Sequence, residues 1–151
     1  ITDEEMIRKL YEASQAGVKI RMIVRGICSL VPGIKGVSDN IEVISIIDRF
    51  LEHARVFVFH HEGDQKVYLS SADWMTRNID HRSEVGVPIF DEAIQKQLID
   101  MLEIQWSDQL KARIINGVQD NSYRITKGKN KIRSQEEIYR YLQQQLPAVT
   151  K

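Results

Sequence analysis

An arginine and a histidine–arginine pair are the side chains in this sequence best suited to handling phosphate. Arg25 stands in Val24-Arg25-Gly26, at the end of an apolar, β-branched run and just before a glycine-containing loop. Its planar fork of donors matches phosphate oxygens. Ligands of open α/β sheets gather just beyond the carboxyl ends of the strands, where this pattern puts it. An ordinary solvated strand-end arginine would show the same pattern. His53-Ala54-Arg55 comes where a short helix is expected to hand over to a strand. Once a strand has begun, residues two apart share a face, so His53 and Arg55 would point the same way. An imidazole beside a fixed cation can move a proton while phosphate charge is held. A partly buried histidine bonded to backbone is the plainer alternative.

Two further clusters are weighed beside these. Ser70-Ser71-Ala72-Asp73-Trp74-Met75-Thr76-Arg77-Asn78 concentrates hydroxyls, an acid, an amide and Arg77 in the turn after a strand, although Ser, Asp and Asn are also common turn residues. His60-His61 suggests a metal pair, yet neighbours on a strand face opposite ways, so the pair is assigned to a hairpin surface and no metal site is assigned.

The elements that must position these residues alternate between helix and strand. Thr2 and Glu5 make a capping-box pattern ahead of Met6, Ile7, Leu10 and Tyr11, which predicts a helix over about 3–16 that Gly17 stops. Val18 to Val24 reads as a strand, residues 26–40 as a loop, and Ile41 to Ile46 as a second strand. Ile47, Phe50 and Leu51 suggest a short helix before His53. Ala54–Phe59 and Lys66–Ser70 read as a hairpin, and Glu84–Ile89 as a fifth strand ended near Pro88. Asp91 caps a helix with the stripe Ile94, Leu98, Met101, Leu102. Ser134-Gln135-Glu136-Glu137 repeats the capping-box pattern before a last helix that Pro147 ends. An irregular basic stretch separates these two helices. The expected fold class is α/β, a mixed sheet flanked by helices, in one domain over residues 1–151.

Bulk properties bound the function. A chain of 151 residues with 42% apolar and 28% charged side chains suits one ordinary domain with a core. No apolar run approaches the roughly 20 residues of a membrane span. Cys28 is alone, so no internal disulfide forms, and a reducing cytoplasm is the default compartment. Lysine plus arginine balance aspartate plus glutamate at 21 each, so any anion site must be local. A start on Ile1 that leads straight into a helix cap suggests a fragment of a longer chain.

Over most of residues 5–107 the chain resembles the C-terminal part of the long-chain polyphosphate kinases. The resemblance rests on Leu10 to Lys19, Ile23-Val24-Arg25-Gly26-Ile27-Cys28, Arg49-Phe50-Leu51-Glu52-His53-Ala54-Arg55, Tyr68 to Met75, and Arg77-Asn78. It implies a phospholipase D-like half in which two related halves each supply a histidine to one site. The attacking histidine, which becomes a phosphohistidine, would lie in a preceding domain, as would the ligands of Mg2+. Here His53 would be the supporting histidine and Arg25 the contact to nucleotide phosphates, with Arg55 and Arg77 as secondary phosphate contacts. The substrates implied are ATP or ADP and inorganic polyphosphate. The implied partners are the preceding domains of the same polypeptide and further copies in a homo-oligomer, with membrane association of the full-length enzyme left open. The fragment alone is expected to be inactive.

The sequence departs from the phospholipase D signature, since Arg55 stands for its Lys and His60 for its Asp; Val31 and His81 stand where the kinases more often carry arginine. Two other classes remain open at this point. One is a phospholipase D-like phosphodiesterase half. The other is a non-catalytic polyanion-binding module, suggested by Lys111, Arg113, Arg124, Lys127, Lys129, Lys131 and Arg133 against the single acid Asp120.

Overall fold

Asp3, not Thr2, caps the first helix: its backbone is extended and its carboxylate accepts a 2.9 Å hydrogen bond from the Met6 N–H. Helix α1 then runs Glu4–Gln15 in the computed structural model, which describes residues 1–124 and 131–146. Gly17 ends α1 at φ +90°, with Gly17 N–H bonded to Ser14 C=O and Val18 N–H to Ala13 C=O. That pair of bonds is the Schellman closure, which a residue without Cβ adopts at least cost.

Strand β1 (Ile20–Ile23) pairs in parallel with β2 (Ile41–Ile46), and β2 pairs on its other side with the antiparallel strand β6 (Ala112–Ile115). The centre of this sheet is buried on both faces. Ile41 and Val43 join Leu30 in a core packed against Met6, Ile7, Leu10 and Tyr11 of α1. Ile44 and Ile46 face the other way, with Ala112, Ile23 and Trp106. Period-two alternation thus sends one strand's side chains into two cores.

A second sheet is antiparallel throughout, in the order β3 (Val56–Phe59), β4 (Lys66–Ser70), β5 (Gly86–Ile89). The expected hairpin is present, with Val56 opposite Leu69 and Phe59 opposite Lys66. Pro88 lies inside β5 instead of ending it, opposite Tyr68. An edge strand tolerates the lost N–H. Trp74 ties the two sheets together: its ring stacks on Phe57 at 4.9 Å while it packs against the Leu30–Val43 core.

The four-residue helix α2 (Thr76–Ile79) follows β4, and α3 (Glu92–Trp106) follows β5 with Asp91 capping the Ala93 and Ile94 N–H groups. Helix α4 spans Ser134–Gln145; Pro147 lies outside the described residues.

The mixed α/β class holds, and beyond the Thr2 cap and the Pro88 stop four further expectations need correction. The strands divide between two sheets. No helix forms at Ile47, Phe50 and Leu51, which stay largely exposed and so offer no apolar face to bury. The basic stretch contains a strand, β6, whose Ala112 is fully buried beside Ile44. Ser134 is the first helical residue, not a cap; the Asp108 carboxylate takes its N–H at 2.7 Å instead.

Candidate functional site

The segment from Ile47 to Arg55 has neither helix nor strand, so its backbone groups must find partners elsewhere. It starts at the end of the central strand β2 and is tied down at three points. Asp48, whose side chain is only 2% exposed, accepts two hydrogen bonds from the Arg133 guanidinium at 2.7 and 2.6 Å. The Arg133 contact holds the Asp48 carboxyl below the usual carboxylate range, against the opposing push of burial. Phe50 exchanges both of its backbone hydrogen bonds with the Gln135 side-chain amide, at 2.9 and 2.8 Å. The Glu52 carbonyl accepts a hydrogen bond from Nη1 of Arg25.

These ties bring three of the four sequence-predicted residues onto one stretch. Arg25 extends from the end of β1 to the residue just before His53. His53 is exposed, and its carbonyl accepts a 3.0 Å bond from Nη1 of Arg55. Arg55 is anchored again by Asp73, with Nε at 2.8 Å from Oδ1. That hydrogen bond lowers the Asp73 pKa, more than offsetting the effect of burial, and the charge of Arg77 adds a smaller push in the same direction. Arg77, on α2, is exposed and bonds to none of the other three, acting on Asp73 only through its charge. The same-face argument for His53 and Arg55 does not hold, because the strand begins only at Val56. What joins them is a side-chain-to-backbone bond.

The segment between Ser70 and Asn78 is organised by a residue that the sequence reading passed over. Glu84 accepts hydrogen bonds from the Ser71 hydroxyl and from Nδ2 of Asn78, the latter at 2.7 Å, and the Ser71 hydroxyl accepts from Val85 N–H at 3.0 Å. These bonds, Ser71 first, lower the Glu84 pKa. Only its isolated acidic character beside the fifth strand could have flagged it. Asn78 is buried, and its Oδ1 has no partner among the described residues.

The remaining candidates separate from this site. His60 and His61 lie exposed at the hairpin, as assigned. Among the described residues no group of three or more His, Cys, Asp or Glu is placed to hold a metal ion, and no helix is long and apolar enough to cross a membrane. The basic stretch is largely engaged within the domain. Arg113 lies 3.8 Å over the Tyr123 ring, Arg124 lies 5.0 Å over Trp106 and bonds its carbonyl, and Lys111 and Arg133 face Asp48. Lys131 is exposed, and Lys127 and Lys129 fall outside the described residues. A shallow groove of about 550 Å³ between α3 and α4 holds none of the candidates, and its Lys96, Asp100 and Tyr141 bond to one another.

Comparison with known proteins gives one consistent answer. The family described as "Polyphosphate kinase C-terminal domain 2" matches residues 1–135. The chain is 59% identical to a polyphosphate kinase of Vibrio cholerae and 48% identical to one of Escherichia coli strain K12, in each case over 94% of its length. It spans only about a fifth of either relative, 20% and 21%. The crystal structure of polyphosphate kinase from Porphyromonas gingivalis superposes with a TM-score of 0.92 at 44% identity, covering 95% of this chain and 22% of that one. By family match, sequence identity and fold together, this chain belongs to the polyphosphate kinase C-terminal domain 2 family.

Proposed function

We propose that the chain is a single domain acting as one half of a phosphoryl-transfer site in an ATP-dependent polyphosphate kinase. In this reading a histidine outside these residues attacks the γ-phosphorus of ATP, the P–O bond to ADP breaks and a P–N bond forms. The terminal oxygen of polyphosphate then takes the phosphoryl group, the P–N bond breaks, and the polymer grows by one unit. Both steps are reversible. The domain by itself makes no polymer, and any magnesium accompanying ATP draws its protein ligands from elsewhere. The lone cysteine supports a cytoplasmic setting.

The observation that carries the proposal is the tie between Arg25 and the Glu52 carbonyl, which fixes a guanidinium beside the exposed His53. Only Nη1 of Arg25 is spent there, so Nε and Nη2 remain to meet phosphate oxygens, whose charge grows on the leaving group. His53 donates a hydrogen bond or a proton to the same oxygens. Arg55 contributes less, because Asp73 and the His53 carbonyl already take two of its donors. Arg77 supplies longer-range positive charge.

Two substitutions in the full-length enzyme test this. His53→Ala should lower turnover by about 10²-fold with an unchanged melting temperature, and His53→Gln separates hydrogen bonding, which it restores in part, from proton transfer, which it does not. Arg25→Lys keeps the charge and loses the fork, so the KM for ATP should rise about tenfold. Normal kinetics in folded His53→Ala enzyme would remove the catalytic assignment.

A further inference from the structure

Arg25 bonds to the backbone of Glu52 and does not pair with the carboxylate of the same residue. The Glu52 backbone carbonyl accepts the Arg25 hydrogen bond, while the Glu52 side chain points to two glutamines: Oε1 accepts from Nε2 of Gln135 at 3.0 Å, and Oε2 accepts from Nε2 of Gln105. Arg25 has no carboxylate partner among the described residues. An unrestrained Glu52 carboxylate would be the natural partner for that guanidinium. Such an ion pair would neutralise the charge and fill the donors that a phosphate needs.

Gln135 is fully engaged on this loop. Its amide oxygen accepts from Phe50 N–H, and its amide nitrogen donates to both the Phe50 carbonyl and Glu52 Oε1, so every hydrogen-bonding group it presents to the loop is used. The residue reaches across 85 positions of sequence to do so. Its base is firm. The Asp108 carboxylate, fully buried, accepts the N–H groups of Leu110, Lys111, Ala112 and Ser134 at 2.6–3.0 Å, and Arg133 clamps Asp48. The first turn of α4 is therefore fixed against the same loop that it restrains.

We propose that Gln135 is a positioning residue that holds the Glu52 carboxylate away from Arg25 and so keeps the guanidinium open to nucleotide phosphate. Gln105 serves the other carboxylate oxygen. The inference rests on the reading of Arg25 as a phosphate contact.

The test is a suppressor experiment in the full-length enzyme, reading the KM for ATP, kcat and melting temperature. Gln135→Leu releases Oε1 of Glu52, leaving only the Gln105 bond to Oε2, and should raise the KM about tenfold with a smaller change in kcat. Adding Glu52→Gln removes the competing charge and should recover most of that KM. Gln135→Glu, which cannot donate and suits a helix start, should raise the KM in the same way and serves if the leucine variant folds poorly. An unchanged KM in folded Gln135→Leu or Gln135→Glu enzyme overturns the proposal. So does a raised KM that Glu52→Gln does not recover, because a purely structural glutamine gains nothing from losing the charge. Arg25→Lys in parallel separates the two levels. If Arg25→Lys leaves the KM unchanged, the phosphate reading falls and this inference with it; if it raises the KM while the Gln135 variants do not, only this inference falls.

Discussion

The two sheets of this domain are similar in size and opposite in character. The β1–β2–β6 sheet is buried from both sides, so that even adjacent residues of β2, Val43 and Ile44, are each almost fully enclosed. In the β3–β4–β5 sheet only Val67 is fully buried, while Val87 is 48% exposed and Phe90, just beyond β5, is 85% exposed. The candidate site lies between them. Arg25 comes from the end of a strand in the enclosed sheet, and Arg55 and Asp73 flank strands of the open one. The most enclosed core and the candidate site thus occupy different parts of the chain, with the tie from Arg25 to Glu52 crossing from one to the other.

Matched truncations give the largest contrast. Ile44→Ala leaves a cavity in a core that cannot close over it and should cost about 3 kcal/mol, whereas Val87→Ala on the open sheet should cost under about 1 kcal/mol. Denaturant titration of both variants measures the difference. Equal losses would mean that the open sheet is as tightly built as the enclosed one.

A smaller effect is expected from acid, at the seam itself. Asp48 titrates lower in the fold than in the unfolded chain because Arg133 holds its ionised form, with burial opposing. Its contribution is therefore complete above the ordinary carboxylate range and disappears as the pH falls through the lowered, folded-state value. Hydrogen exchange at the Phe50 N–H should accelerate over that acid window while the β2 amides stay protected. Simultaneous loss of both would show that loop and sheet open as one unit.

The smallest effect sharpens the boundary of the site. Replacing Lys127, Lys129 and Lys131 with alanine should leave single-turnover phosphorylation nearly intact. A large loss would extend the phosphate path into the stretch after β6.

Much of this was legible locally. The α1 stripe, the Gly17 stop, the 54–70 hairpin and the Asp91 cap depend on residues within a few positions of one another, where periodicity and turn chemistry decide. The blocks around Arg25 and His53 were legible as a family resemblance, and the family match agrees with it. The capping pattern at Thr2 misled by one residue, because Asp3 offers a carboxylate at the same helix start. The hydrophobic spacing of Ile47, Phe50 and Leu51 misled further. A helix of that length needs a surface to bury against, and here the backbone is held by side chains from other parts of the chain.

The sequence by itself determined most of the elements and their order, which follow from short-range pattern, while the arginine and histidine to suspect came from the family resemblance, because residue chemistry alone left their ordinary structural readings open. Only the tertiary structure decided that Asp108 caps a helix 26 positions away, that β6 completes the enclosed sheet, and that two glutamines bond the Glu52 carboxylate. Each depends on hydrogen bonds between residues far apart in the chain, and no local periodicity encodes which distant donor will meet which acceptor.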